Sequence, residues 1–381
     1  MSARYSRSHR APHRRRARVR AAAIGAVVFA FAACGEGPTG PEGALDTGIA
    51  GRWTTASPAS VGLDPAALED FEAAVAAGEA GTLSSTLILR DGVLVYERYW
   101  GDWGPGDVHV VYSVTKSVTS LLVGIAHADG LLADLDTPIL DLLPEYAALP
   151  WPNGRPEITL EHVLTMRAGF AWDELSSDYN DGGNPVAELV GSPDWAEYVL
   201  TLPREAEPGA AFVYNSGVSM LMGALLGVRT GESAEAYAAR ELFGPLDIEE
   251  WAWSEGPGGL TNTGWGLRLR PRDMAAIGQL VLQEGEWEGE QLVPGAWLDA
   301  SREAATRFTD GTGYGYQWWL PVEDGGPRPM AAWGYGGQFI VVIPSLDVVI
   351  AATAENFGTS GWTPYRFARL AYEAVEGVPA R

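Results

Sequence analysis

The chain has 381 residues, 46% of them hydrophobic and 15 of them tryptophan, enough to bury a sizeable core in two or three domains or in one large domain with an insertion. Its formal charge of −23 is unevenly spread: residues 1–33 hold eight arginines and no acid, which leaves 18 cations against 49 anions, or −31, in the remainder. So acidic a surface repels phosphates and anionic headgroups, which excludes nucleic-acid binding and serves solubility.

Residues 1–34 are expected to be an export signal. An arginine-rich stretch over 14–20 precedes an apolar run over 21–33 that is too short to span a bilayer. The run ends at Phe31-Ala32-Ala33-Cys34, which resembles a bacterial lipoprotein box, so Cys34 is the expected site of lipidation. The expected location is therefore periplasmic or cell-envelope, with membrane contact only through that anchor. The arginine pairs also permit twin-arginine export. Cys34 is the single cysteine, so no disulfide forms within the chain. Residues 35–52 are rich in Gly and Pro without an apolar period and are predicted to be a flexible linker.

From residue 53 onward the pattern is globular. A helix is predicted from the Asp64 cap, with Pro65 in its first turn, to about Gly78. A hairpin follows, 86–90 and 93–99 around Asp91-Gly92, a pair that tolerates the left-handed angles of a two-residue turn. An extended stretch over 108–112 leads into a helix over 114–128 that is apolar almost all round, and so belongs in the centre of the protein. Helical patterns over 158–166, 193–202, 218–228, 234–242 and 272–282 are separated by Gly/Pro-rich loops, with no fixed repeat. A strand pair over 339–343 and 348–353, turning at Pro344-Ser345, and an amphipathic helix over 364–375 close the chain. Strands at both ends with helices between predict an α+β fold. One antiparallel β-sheet is flanked by helices, with a mostly helical subdomain inserted over about 130–290.

The chemistry begins with composition: Lys116 is the only lysine, and Ser113 stands three residues before it. Arginine stays charged in a protein, whereas a buried lysine can lose its proton near neutral pH. Three apart on a helix, the two side chains share a face. Serine needs an adjacent base to act as a nucleophile. Lysine serves only if its pKa falls by about 3, roughly 4 kcal/mol against the charged form. A helix N-terminus supplies at most ~2 kcal/mol of that. Burial must supply most of it. The same helix start offers the Ser113 N–H to a developing oxyanion.

Two further motifs accompany the pair. In Tyr214-Asn215-Ser216-Gly217 the phenol can relay a proton to a leaving group, while Asn215 hydrogen-bonds the lysine or the substrate. In Trp333-Gly334-Tyr335-Gly336-Gly337-Gln338 the small residues, Gly334 and Gly336 among them, let a substrate lie against the strand that follows. A backbone N–H there can complete an oxyanion hole. No histidine pair has metal-ligand spacing and no glycine loop carries a following Lys-Ser/Thr, so neither metal nor cofactor is expected. Ser113 lacks the G-x-S-x-G frame of a Ser-His-Asp hydrolase. His162, among apolar neighbours on a helix, is expected to be packed rather than catalytic.

In this order the three motifs resemble the serine β-lactamase-like superfamily: class C β-lactamases, D-alanyl-D-alanine carboxypeptidases, family VIII carboxylesterases and 6-aminohexanoate-dimer hydrolases. The likeness runs from about Trp53 and takes in Ile158-Thr159-Leu160-Glu161-His162, Arg270-Pro271-Arg272-Asp273-Met274 and Tyr314-Gly315-Tyr316-Gln317-Trp318-Trp319. The resemblance implies a β-lactamase/transpeptidase-like fold, Ser113 as acylated nucleophile, Lys116 as its base and Tyr214 as proton relay. It also implies Asn215 as a hydrogen-bonder in the site and the N–H groups of Ser113 and Tyr335 as oxyanion hole.

One departure bears on substrate. β-Lactamases and carboxypeptidases usually open the third motif with Lys-Thr-Gly or His-Thr-Gly, a donor for the substrate carboxylate; here the triplet is Ala332-Trp333-Gly334. A carboxylate buried without a partner is costly. The expected function is therefore an exported serine hydrolase of a small ester or amide. A carboxypeptidase or class C-type β-lactamase is the alternative, and a non-catalytic envelope binding protein of the same fold is the third. The run Gly334-Tyr335-Gly336-Gly337-Gln338 most resembles the esterase and aminohexanoate-oligomer hydrolase branch, a resemblance that implies residues 172–181 lie near the site and close over substrate. The aromatics there and at Trp318 and Trp319 are expected either to line an acyl pocket or to pack in the core.

Overall fold

The computed structural model describes residues 53–132, 134–149, 157–321, 329–357, 371 and 373–375. The predicted export signal, Cys34, the linker and most of the terminal helix lie outside them. Residues 371 and 373–375 are helical.

An eight-stranded sheet, antiparallel throughout, organises the chain. It is built from β1 (Leu83–Arg90), β2 (Val93–Tyr99), and a C-terminal set β8 (Thr306–Arg307), β9 (Gly313–Tyr314), β10 (Trp319–Leu320), β11 (Met330–Gly334), β12 (Gln338–Ile343) and β13 (Val348–Ala354), in the order β2-β1-β13-β12-β11-β10-β9-β8. The ends of the chain thus meet at β1 and β13, with Ile88 opposite Ile350. The predicted hairpin forms, with Asp91 and Gly92 at φ 53° and 72°. A small sheet joins β3 (His109–Val110), β5 (Leu267–Leu269) and β4 (Ala252–Trp253); β6 (Glu286–Trp287) and β7 (Glu290–Gln291) make a ribbon. β3 falls within the extended stretch expected over 108–112, whereas the others, two or three residues long, carry too little periodicity to be read from sequence.

Strand alternation builds two cores. Leu87, Leu89, Ile340, Val342, Val349 and Ala351 face one side; Ile88, Phe339, Ile343, Val348 and Ile350 face the other. Against the second face lies α1 (Pro65–Ala76), whose start is capped by Asp64 accepting from the Ala66 N–H and which packs Leu68, Phe71 and Val75. Against the first lie α2 (Val114–Ala128) and, at the far end of the helical stretch, α9 (Pro271–Leu282). α9 is anchored to β2 by Arg272, which donates to both carboxylate oxygens of Glu97 at 2.7 and 2.8 Å.

α2 spans the predicted 114–128 and is buried from Val114 to Ala126, so it separates the sheet from the helical layer. That layer comprises α3 (Ile139–Leu142), α4 (Leu160–Leu164), α5 (Pro185–Gly191), α6 (Trp195–Leu200), α7 (Ser216–Thr230) and α8 (Ala234–Ala238), with α10 (Gly295–Arg302) following α9. The predicted helix over 158–166 shortens to five residues because Thr159 and His162 form a reciprocal cap that sets its start. α5 and α10 are short and were not expected from their patterns.

Gly278 is where α9 meets the sheet: a Cβ there would lie 2.4 Å from Val349 Cγ1 and 2.9 Å from Ile340 Cγ2. Overpacking at such a contact costs about 1–3 kcal/mol. Gly278→Ala should therefore lower the melting temperature by several degrees in differential scanning calorimetry; an unchanged melting temperature would show that α9 does not seat tightly there.

Candidate active site

Ser113 sits at the N-cap of α2, where β3 turns into the helix. The turn is made by Tyr112 in the left-handed region, φ 46°, a conformation that is costly for an aromatic residue and concentrates at functional sites. Its ring is held by Tyr335 at 5.7 Å and Phe357 at 5.6 Å. The backbone then closes at once: Val111, Tyr112 and Ser113 accept from the N–H groups of Val114, Thr115 and Lys116.

Lys116, one turn on, is 1% exposed. Its Nζ donates to three oxygens: Ser113 Oγ at 3.0 Å, Ser216 Oγ at 2.9 Å and the Gly264 carbonyl at 2.7 Å. It also lies 5.1 Å from the centre of the Tyr214 ring. Burial pushes the amine down to about 8, and the nearby Glu174 carboxylate pulls the other way. Three acceptors compensate the desolvation of the charged form only in part.

Tyr214 precedes α7 and is 8% exposed. Its ring stacks on Trp319 at 5.8 Å and 23°. Burial pushes the phenol far above its ordinary value, and Glu174 adds to that, outweighing the nearby Ser113 side chain, which acts the other way. It therefore keeps its proton where the amine has begun to lose one. Of the two groups beside Ser113, the amine is the one able to act as base.

The structure differs from the sequence expectation at Asn215. Its Oδ1 accepts from the Val218 N–H as the cap of α7, and its backbone N–H meets Met166 Sδ. Asparagine is among the best residues at that position, and capping commits the side chain. The contact with Lys116 belongs instead to Ser216, one residue later.

Within the 172–181 segment expected near the site, sequence reasoning gave no role to Glu174, which is fully buried. Four donors converge on it: the Ser216 N–H at 2.6 Å and Trp172 Nε1 at 2.7 Å on Oε2, and the Ser216 hydroxyl at 2.7 Å and Tyr179 hydroxyl at 3.0 Å on Oε1. Of the adjacent acids Asp173 and Glu174, only the second is inside; the pattern does not distinguish them. Gly264 carries no signal of its own either. A Cβ there would come within 2.7 Å of Met220 Cε and 3.1 Å of the Ser216 carbonyl, so glycine lets this carbonyl reach the amine without displacing them.

The third motif is the turn between β11 and β12. A Cβ on Gly334 would lie 2.3 Å from the Val111 carbonyl, so its absence lets β11 end against the backbone two residues before Ser113. Tyr335 then shares a cavity of about 360 Å³ with Ser113. Gly336, at φ 82°, lies under the Phe357 ring, where a Cβ would be 2.2 Å from Cε1. Neither Gly334, Gly336 nor Asn215 lines the cavity; Tyr112, Tyr179, Trp265, Tyr335 and Phe357 make its aromatic wall. Trp318 is fully buried in the core, while Trp319 supports Tyr214. His162 accepts from the Thr159 N–H within its cap, away from the cavity. Among the described residues, no arginine lines the cavity, and no group of His, Cys, Asp and Glu is arranged to hold a metal.

The beta-lactamase family pattern matches residues 71–372. Over 356 residues the chain is 26% identical to the 6-aminohexanoate-dimer hydrolase of Paenarthrobacter ureafaciens, covering 84% of this chain and 83% of that one. Among solved structures it is similar to a family VIII carboxylesterase (TM-score 0.65, 16% identity, 83% of this chain and 98% of that). It is also similar to the octameric penicillin-binding protein homologue from Pyrococcus abyssi (TM-score 0.65, 20% identity, 82% and 78%). With the family matched over most of its length and this fold around Ser113, the chain belongs to the beta-lactamase family, as a serine hydrolase of the β-lactamase fold.

Proposed function

We propose that the protein hydrolyses a small ester or amide through an acyl-enzyme on Ser113, with Lys116 as base and Tyr214 as proton relay. The observation that carries this reading is the chain's only lysine, buried, 3.0 Å from the Ser113 hydroxyl and pushed down to about 8. Ser113 Oγ attacks the carbonyl carbon as its proton passes to Nζ. The N–H groups of Ser113 and Tyr335 receive the oxyanion. The bond to the leaving group breaks, and Tyr214 delivers a proton to it while taking one from the lysine. Water then repeats the sequence on the acyl carbon and returns Ser113.

The cavity favours an uncharged or apolar acyl group. Its wall is mostly aromatic rings with Val186 and Val190, its polar groups (Asn180, the serines and the tyrosine hydroxyls) are uncharged, and no arginine among the described residues lines it to receive a carboxylate. This ranks esters and small amides above β-lactams and D-alanyl peptides, whose carboxylate would meet no cation among the described lining residues. We also propose export with lipid attachment at Cys34, supported by the composition of residues 1–34.

On p-nitrophenyl butyrate, Ser113→Ala and Lys116→Arg should each lower kcat/KM by at least about 10³-fold. Full activity in either would overturn the assignment. The wild-type kcat/KM should rise with pH through a midpoint near 8, because the base works only when neutral. A profile flat from pH 6 upward would contradict it. Nitrocefin should be turned over more slowly than the ester, and the reverse order would defeat the substrate ranking. Palmitate labelling in a bacterial host should depend on Cys34, and equal label in Cys34→Ser would refute the anchor.

A further inference from the structure

The carboxylate of Glu174 is fully buried and does not line the cavity, yet it is one hydroxyl away from the amine beside Ser113. The donors and acceptors around that hydroxyl can be counted. Ser216 Oγ has one hydrogen and lies 2.7 Å from Glu174 Oε1 and 2.9 Å from Lys116 Nζ. An ionised carboxylate only accepts, so the hydrogen goes to Glu174 and the hydroxyl oxygen accepts from the lysine. The Gly264 carbonyl also only accepts and takes a second lysine N–H. A neutral amine has two N–H bonds and one lone pair. Both N–H bonds are then committed, and the lone pair is left for the third neighbour, the Ser113 hydroxyl.

We propose that Glu174, acting through Ser216, is a positioning residue that turns the lone pair of Lys116 toward Ser113. This rests on the reading of Lys116 as base. Without the carboxylate, the Ser216 hydroxyl is free to rotate and donate to the amine, which would capture the lone pair in the wrong direction. When Nζ takes the Ser113 proton, the new N–H bond lies along the vacated lone pair, and the contacts to Ser216 and Gly264 need not change. The arrangement is thus ready for both protonation states. Glu174 has an opposing effect as well, since its charge favours the ammonium. The charged and titratable groups facing the amine are Glu174 and the Tyr214 phenol; Tyr179 and Tyr314, both pushed up by burial, back them.

The two effects separate in a pH–rate profile of the full chain on p-nitrophenyl butyrate. Glu174→Gln should lower the alkaline plateau of kcat/KM by about 10–100-fold, a part of what a well-placed base contributes. It should also move the acid-limb midpoint to lower pH, because a negative charge beside the ammonium is gone. Ser216→Ala should lower the plateau by a similar factor with a smaller move of the midpoint, since the carboxylate remains. A wild-type plateau in both variants, with Ser113→Ala and Lys116→Arg inert, would overturn the positioning role and leave the base assignment standing. A lowered plateau with an unmoved midpoint in Glu174→Gln would mark a merely structural role and overturn it too. If Glu174→Gln fails to give a cooperative melt, Ser216→Ala decides: a wild-type plateau there refutes the proposal. Full activity in Lys116→Arg would refute the reading beneath it.

Discussion

An amine stripped of water is the constraint to which the rest of this protein answers. Lys116 lies between α2, α7 and the turn that carries Gly264, and each contributes one oxygen to it: Ser113, Ser216 and the Gly264 carbonyl. Burial in low dielectric disfavours the charged form, and a few hydrogen bonds limit how far. The balance settles near 8, where both protonation states are within easy reach at neutral pH. With more compensation the lysine would be an inert cation. With less, its ammonium would be too costly to form.

The fold supplies this environment by making α2 an interior helix. The sheet covers one side of it and α7 the other, so its N-terminal turn is sealed apart from the serine. The three motifs reach that turn from different layers. Ser113 and Lys116 belong to α2, Tyr214 and Ser216 to the start of α7, and Tyr335 to the end of β11. Glycine makes two of the approaches possible, Gly334 against Val111 and Gly264 against Ser216. Function depends on such placement of side chains on the fold rather than on the fold alone.

Long, strongly patterned elements were legible from sequence. The helix over 114–128 and the Asp91-Gly92 hairpin appear where their periodicity and turn chemistry put them. Ser113, Lys116 and Tyr214 stand out in the sequence through unusual composition and recognisable motifs, and the structure brings Lys116 up against both of the others. What escaped was tertiary. Nothing local tells that Asn215 caps its helix while Ser216 meets the lysine, since both are small, polar and adjacent. Nothing in Asp173-Glu174 tells which carboxylate turns inward. The Gly264 carbonyl is a backbone atom, 148 residues from the amine that it receives. The short strands β4 to β10 exist because neighbouring strands pair with them, and their own sequences hardly announce them.

Because this chain has a single lysine, its amine can be watched without assignment. Protein labelled with 13C at lysine Cε gives one side-chain resonance, and its chemical shift against pH reports the protonation of Nζ directly. A midpoint near 8, shifting downward in Glu174→Gln, is what the buried, carboxylate-linked amine requires. A midpoint above about 10, the ordinary value for a solvated lysine, would contradict the account at its base.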